Sequence, residues 1–152
     1  APDATSAIVS ATTHWTGSST QSTFSTPLTV NAPAVAMTVT LSSTSLLPGN
    51  NMTISVDLVN NGHATLSSSQ LTMTTGNAQL TASGTGGNFS LAAGATLHRQ
   101  FQLHAAATID SNIFVPVYIH LAGGQTLNDT LQLYIGINST ETFEGGQYQV
   151  QG

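Results

Sequence analysis

Histidine is the residue type in this sequence with the most versatile chemistry, because imidazole binds metal ions and transfers protons near neutral pH. The five histidines are His14, His63, His98, His104 and His120. His98 and His104 fall on the same face of one predicted strand, six residues and therefore about 20 Å apart, which is too far to share one ion. Carboxylates that could complete a ligand set are few and scattered. The spacing therefore predicts solvated histidines and no metal site.

Carboxylates and serines show no catalytic pattern. Glu141 and Glu144 have no base beside them in the sequence, and Asp110 stands alone in a predicted loop. No serine lies in a Gly-X-Ser-X-Gly motif, and none has a neighbouring His-Asp pattern. We therefore predict that the protein is not an enzyme and that it has no catalytic residues and no cofactor.

Asparagine is the residue type here with a recognised modification motif. Four Asn-X-Ser/Thr sequons begin at Asn51, Asn88, Asn128 and Asn138. The chain has one basic residue, Arg99, and six carboxylates, whereas an ordinary domain is about a quarter charged. N-linked glycans would hydrate such a surface without charge, so we predict a glycosylated extracellular protein. Sequons also arise by chance in a sequence rich in Asn and Thr, which leaves open how many are used.

Composition excludes several classes of function. Binding to nucleic acid needs a stripe of basic side chains, and this chain has no Lys and one Arg. Without cysteine it forms neither disulfides nor thiolate metal sites. No apolar stretch reaches the length of a membrane span. The chain begins Ala1-Pro2-Asp3 without an apolar leader, so we expect a mature form from which a signal peptide has been removed.

Apolar residues alternate with polar ones from Val35 onward, which is typical of half-buried strands. The alternating runs cover residues 35–41, 52–58, 97–103, 113–121 and 131–137. Turn signals such as Asn60-Asn61-Gly62 and Gly123-Gly124 separate them. The pattern predicts an all-β fold, an antiparallel β-sandwich of immunoglobulin-like type. Pro116 inside one run indicates that this strand is an edge or carries a bulge.

Three motifs in this region carry a resemblance to a known family. They are the run Leu47-Pro48-Gly49-Asn50-Asn51-Met52-Thr53-Ile54-Ser55-Val56, the run Val59-Asn60-Asn61-Gly62-His63-Ala64 and the run Leu91-Ala92-Ala93-Gly94-Ala95. Over about residues 35 to 138 the chain resembles the CARDB-type immunoglobulin-like modules of archaeal and bacterial surface proteins. The resemblance implies an immunoglobulin-like fold and an extracellular setting.

The first 34 residues lie outside this module, and fourteen of the first 32 are Ser or Thr. Such a composition is typical of a disordered tail, yet the segment from Thr5 to Trp15 has a β-capable centre at Ile8-Val9. We predict an extending arm at residues 1–20 and a β-sandwich domain at 21–152. Gly17 to Thr20 would form the flexible crossing between this arm and the home domain, and Ser22 to Val30 would form a strand or linker of the home domain.

We predict that the arm is a donor strand, which completes the sheet of another copy. Sandwich edges expose unpaired backbone groups that natural proteins guard with Lys, Pro or inward charges, and this chain has few such guards. The residues assigned to the donor strand are Ala7, Ile8, Val9, Ser10, Ala11, Thr12 and Trp15. Its inward face is either the set Ala7, Val9 and Ala11 or the set Ile8, Ser10 and Thr12, because the register is not fixed by the sequence. Trp15 would fill the end of the groove that the donor strand occupies in the other copy, or it would lie buried near the domain boundary of its own chain.

This layout resembles the archaeal thread filament subunits, and more remotely the bacterial chaperone-usher pilins. The resemblance implies a homopolymer of identical subunits joined head to tail, a surface filament for adhesion or biofilm formation, with a surface or cell receptor as a further partner. The alternative is a secreted carbohydrate-binding or S-layer-associated immunoglobulin-like module, since exposed aromatics stack on sugars. Its candidate aromatics, Trp15, Tyr118, Tyr134 and Tyr148, are dispersed along the sequence.

Overall fold

The structure is a computed structural model that describes residues 5–14, 16–17, 21–84 and 87–137. Trp15, Asn138 and Tyr148, together with most of the predicted crossing, lie outside the described residues. The described part is all-β and contains no helix, which confirms the predicted fold class at this level. Its strands are β1 (Thr5–His14), β2 (Gln21–Val30), β3 (Val35–Leu41), β4 (Ser45–Leu46), β5 (Asn51–Asn60), β6 (Leu66–Thr75), β7 (Leu80–Ser83), β8 (Phe89–Leu91), β9 (Thr96–Ala105), β10 (Ile113–Ala122) and β11 (Leu127–Ile135).

Two larger sheets form the sandwich-like body of the protein. One has four strands in the order β3-β5-β9-β7, and the other has five in the order β4-β11-β10-β6-β8. Their inner faces share one apolar core, in which alternate residues of β5 and β10 are buried. The largest fully buried side chains include Phe101 and Ile54 in one sheet and Leu71 and Ile119 in the other. The alternating pattern of the sequence therefore marks the core correctly.

β1 and β2 form a separate two-stranded antiparallel sheet. Their ladder runs from Thr5 opposite Val30 to His14 opposite Gln21. Residues 22–30, predicted as a strand or linker of the home domain, lie in β2, which pairs with β1 and with neither larger sheet. From here on, the arm means β1 and β2 together, and it extends further along the chain than the arm of residues 1–20 predicted from the sequence.

The chain changes sheets between β3 and β4. β3 pairs with β5 in the four-stranded sheet, whereas the short β4 pairs in parallel with the end of β11 in the five-stranded sheet. A side-chain bond joins the other ends of β3 and β11, since Val35 N–H donates to Gln125 Oε1 at 2.8 Å. β3 and β11 therefore lie along the same side of the body.

Pro116 lies in β10, which has a neighbour on each side. The ladder with β6 covers only residues 117–122 of β10, so Pro116 stands just beyond it. Its carbonyl accepts a bond from Gly76 N–H at 2.8 Å, which places its own nitrogen on that same side. β10 is therefore not an edge strand as a whole. Pro116 lies just past the end of the ladder with β6, where its missing N–H removes no hydrogen bond of that ladder.

Candidate functional site

The arm is exposed along its whole described length. Every described side chain of β1 is exposed, and so is every side chain of β2 before Val30. Large apolar side chains are among them: Ile8 is 73% exposed, Phe24 71%, Val9 53% and Leu28 52%. An isolated two-stranded ribbon is marginally stable in water at best, so these side chains gain most from a covering partner.

The register gives the arm one apolar face and one polar face. Directly opposite residues share a face, so Thr26 lies beside Val9 and Phe24 lies beside Ala11. Leu28, two residues from Thr26, is on this same face. The other face carries Ile8, with Pro27 directly opposite, and otherwise hydroxyl side chains such as Ser10 and Ser25. Of the two inward faces left open by the sequence, the one that contains Val9 and Ala11 is therefore the more apolar.

Asn60 fixes the point where the arm meets the body. Its side chain is fully buried, and its Oδ1 accepts bonds from Ala34 N–H and Gly62 N–H at 3.1 Å each. Its Nδ2 donates to Ala64 O at 2.8 Å and to Leu91 O at 3.0 Å. The amide thus satisfies both its acceptor and its donor capacity, and it ties the segment before β3 to the turn after β5.

Gly62 lets this turn lie directly against the base of the arm. A Cβ at Gly62 would overlap the backbone of Ala32, Pro33 and Ala34. The backbone N–H of Asn61 also donates to Ala34 O at 2.8 Å. The Asn60-Asn61-Gly62 motif, read from the sequence as a turn, therefore also holds residues 32–34, the segment that links the arm to β3.

β11 has an open edge. On one side it pairs with β10 over residues 113–121 of that strand, but on the other side it pairs with β4 only at Tyr134 and Ile135. Residues 127–133 of β11 thus have no second neighbouring strand in the described part of the chain. Their unpaired backbone groups form a template for strand addition.

Within the described residues β3 pairs only with β5, so its outer edge is open in the same way beyond Val35, whose N–H bonds to Gln125. The inward apolar residues beside these two edges are less completely buried than those of the central strands. They pack against the core yet stay half-buried, and they are Met37 and Val39 in β3 and Leu127 and Leu131 in β11. We call the two open edges with these four residues the seam.

Asp129 is an inward-facing charge at the seam. It lies between Leu127 and Leu131 on the core side of β11 and is half-buried. Its Oδ1 accepts a bond from Thr130 N–H at 2.8 Å. Inward charges on edge strands oppose indiscriminate pairing, so the edge of β11 accepts fewer partners than an apolar edge would.

The sequon asparagines inside the described residues all have exposed side chains. Asn51 begins β5, Asn88 precedes β8 and Asn128 lies in β11. Two of them contact a histidine on the adjacent strand: Asn51 Oδ1 lies 2.8 Å from His104 Nδ1, and Asn128 Oδ1 lies beside His120 Nδ1. The sequence predicted the sequons but not these pairs, which the strand register creates.

The remaining chemistry-bearing residues stay apart from one another. His98 Nδ1 contacts Asp57 Oδ1 at 2.6 Å on an exposed face, and His104 lies further along the same strand. Within the described residues, no three His, Asp or Glu side chains gather closely enough to hold a metal ion. Arg99 Nε is buried and has no hydrogen-bond partner in the same part of the chain. No apolar helix of membrane-spanning length occurs there either.

Solved proteins of low sequence identity have a similar architecture. A FixG-related protein from Vibrio parahaemolyticus matches with a TM-score of 0.52 and 13% identity, over 68% of this chain and 97% of that one. Spo0M, a sporulation control protein from Bacillus subtilis, matches with a TM-score of 0.52 and 14% identity over 68% of this chain; the match spans 50% of Spo0M. No protein-family model and no curated protein sequence matches. At these identities the likeness shows the fold alone.

Proposed function

We propose that this protein is the structural subunit of an extracellular filament, in which the arm of one copy docks on the seam of the next. The observation that carries the proposal is that one chain has both an exposed apolar ribbon and an incomplete sheet edge. An immunoglobulin-like fold, N-linked glycans and a role in adhesion or biofilm formation belong to the same proposal. So does the relationship to archaeal thread subunits.

The dimensions of the two surfaces support this docking. Each arm strand has ten residues and spans about 33 Å, whereas the open edge of β11 has seven residues and spans about 23 Å. The arm is therefore long enough to pair with the whole open edge. Addition of a strand to an exposed edge is a common mode of recognition, in which backbone bonds provide affinity and alternate side chains provide specificity.

The chemistry of the two surfaces supports it as well. The apolar face of the arm carries Val9, Phe24 and Leu28, and the seam offers half-buried apolar side chains to cover. No Lys, Arg, Asp or Glu lies between Thr5 and Val30, so the arm brings no charge that docking would desolvate. Because arm and seam are different surfaces, the contact is head to tail and extends into a filament if it does not close into a ring.

Electron microscopy of the purified chain tests the proposal. We expect long unbranched fibres from the full chain and none from a chain lacking residues 1–30. The arm contributes no strand to either larger sheet, so circular dichroism of the shortened chain should still report β-structure. Fibres from the shortened chain, or a full chain that stays monomeric at high concentration, would overturn the proposal.

A further inference from the structure

The outer face of the five-stranded sheet carries an exposed aromatic stripe. Phe114 and Tyr118 point outward from β10, with exposures of 67% and 44%, and Pro116 lies between them. Tyr134 is directly opposite Phe114 on β11, and the two ring centroids are 5.3 Å apart. We call these four residues the aromatic stripe. Tyr118 and Tyr134 are far apart in the sequence, but the strand register places both on one face of the sheet, together with Phe114.

Uncharged polar side chains surround the stripe. Thr74 and Thr130 lie directly opposite Tyr118 on its two sides, and Gln132 lies opposite Pro116. No Asp, Glu, Lys or Arg occupies an outward position of β6, β10 or β11. Tyr134 is held in place because its hydroxyl donates to Asn112 Oδ1 at 3.0 Å. The rings of Phe114 and Tyr134 are tilted by 45° to each other, so the stripe is a line of exposed rings and not a flat surface. Such a line flanked by hydroxyl and amide groups suits a neutral sugar, whose apolar ring faces stack on aromatics while its hydroxyls form hydrogen bonds.

A sugar attachment motif lies at one end of this same face. Asn128 points outward from β11 directly opposite His120, and Tyr118 is the next outward residue of β10 on the diagonal. Diagonal cross-strand neighbours are about 7 to 8 Å apart, which is within reach of the first sugars of a glycan. Thr130, the third residue of the sequon, is exposed on the same face.

His120 leaves the reactive nitrogen of Asn128 free. The imidazole Nδ1 contacts Asn128 Oδ1, so the amide is held through its oxygen and its Nδ2 has no hydrogen bond in the described structure. Nδ2 is the atom that carries an N-linked glycan. Glycosylation forms a bond from Nδ2 to the anomeric carbon of a lipid-phosphate-linked oligosaccharide. The bond from that carbon to the phosphate oxygen breaks, the phosphate leaves with the electron pair, and the nitrogen loses one proton.

We infer that the N-linked glycan on Asn128 lies along the aromatic stripe of its own chain, so that the stripe is a built-in carbohydrate platform. The inference rests on the extracellular, glycosylated setting of the proposed function, but it does not require the arm to dock. Asn51 provides a matched contrast. Like Asn128, Asn51 lies directly opposite a histidine, here His104. Its other neighbours on the outer face of its sheet are Thr53 and Gln102, and neither is aromatic.

The test uses the full chain secreted from a host that transfers N-linked glycans, together with the variants Asn128→Gln and Asn51→Gln. Mass spectrometry of glycopeptides should find Asn128 occupied. With an environment-sensitive apolar dye, Asn128→Gln should bind more dye than the parent, above the signal from the exposed arm that all variants share, whereas Asn51→Gln should match the parent. Adding Tyr118→Thr to Asn128→Gln should lower the dye signal again, because the ring nearest to Asn128 is then gone while the sheet is kept.

Three results would overturn the inference. One is an unoccupied Asn128 in a chain whose Asn51 is occupied, and another is an equal dye signal from the two glutamine variants. The third is Tyr118-dependent binding of soluble mannan or laminarin by the fully glycosylated chain, which would show that the stripe is open to external sugars. None of these results bears on fibre formation, and an absence of fibres would leave the dye contrast intact.

Discussion

Asn60 is a fully buried polar residue that holds the link between the arm and the body, because its side chain accepts a bond from Ala34 N–H. Its buried amide oxygen accepts bonds from the segment before β3 and from the turn after β5. Its Nδ2 also donates to Leu91 O at the end of β8. Its backbone is also paired, since its N–H donates to Ala95 O at 3.0 Å. A change confined to this side chain therefore disturbs three segments of the chain together.

Asn60→Ala should lower the free energy of unfolding by about 3 kcal/mol, because buried donors and acceptors around it lose their partners at about 1 to 3 kcal/mol each. Urea unfolding followed by circular dichroism measures the change. Asn61→Ala is the matched control, since Asn61 is exposed and bonds to Ala34 through its backbone. The control should stay within about 0.5 kcal/mol of the parent. Equal effects of the two substitutions would show that the amide network does not stabilise the fold.

At the scale of elements, the arm and the open edge of β11 are each incomplete alone. The arm exposes both faces and has no third strand, and residues 127–133 of β11 lack a second neighbour in the described structure. A third strand on the arm and a pairing partner on β11 would satisfy backbone groups on both. Asp129 at the seam selects against partners that would bury its charge, which favours a partner that places small or hydroxyl side chains there.

The two faces of the arm should respond differently to substitution. Val9→Asp places a carboxylate on the apolar face and should weaken association between copies by about 100-fold to several thousand-fold, because an uncompensated buried charge costs about 3 to 5 kcal/mol. Ile8→Asp is the control: it puts the same charge on the other face, at a residue that is 73% exposed, and should weaken association less than tenfold. Sedimentation velocity over a range of concentrations gives both values. A stronger effect at Ile8 would reverse the assignment of the faces.

At the scale of the whole molecule, the low charge of the chain affects its response to acid. Acid unfolds proteins mainly by protonating carboxylates that are paired in the folded state, and this chain has six carboxylates in 152 residues. Asp57 with His98 is the ion pair found in the described structure, and its side chains are 42% and 55% exposed. An exposed pair contributes at most about 1 kcal/mol, so losing this contact costs the fold little.

We therefore expect the chain to keep its fold in acid. The circular dichroism spectrum at pH 2.5 should match that at pH 7, and the urea midpoint should change only slightly between the two. A cooperative loss of β-structure between pH 5 and pH 3 would mean that carboxylates stabilise the fold more than their number and exposure indicate.

Sequence reasoning succeeds for this molecule where burial determines the residue pattern. The alternation in β5 and β10 predicts which side chains enter the core, because only one face of each strand is buried. The pairing of β2 with β1 was not predicted, since Gln21–Val30 is exposed and its Ser/Thr-rich sequence carries no burial pattern. The neighbours of Phe114 and Asn128 depend on strand register, which a single sequence fixes only weakly at outward positions.

The central claim, that the arm of one copy occupies the seam of another, is tested most directly by cross-linking. The chain has no cysteine, so single-cysteine variants give unambiguous products. Phe24→Cys on the arm and Leu131→Cys at the seam are mixed and treated with a short bismaleimide, which tolerates uncertainty in register. We predict abundant cross-linked heterodimers from this pair and few from Ile8→Cys mixed with Leu131→Cys. No heterodimer from the first pair, under conditions where the chain forms fibres, would contradict the account.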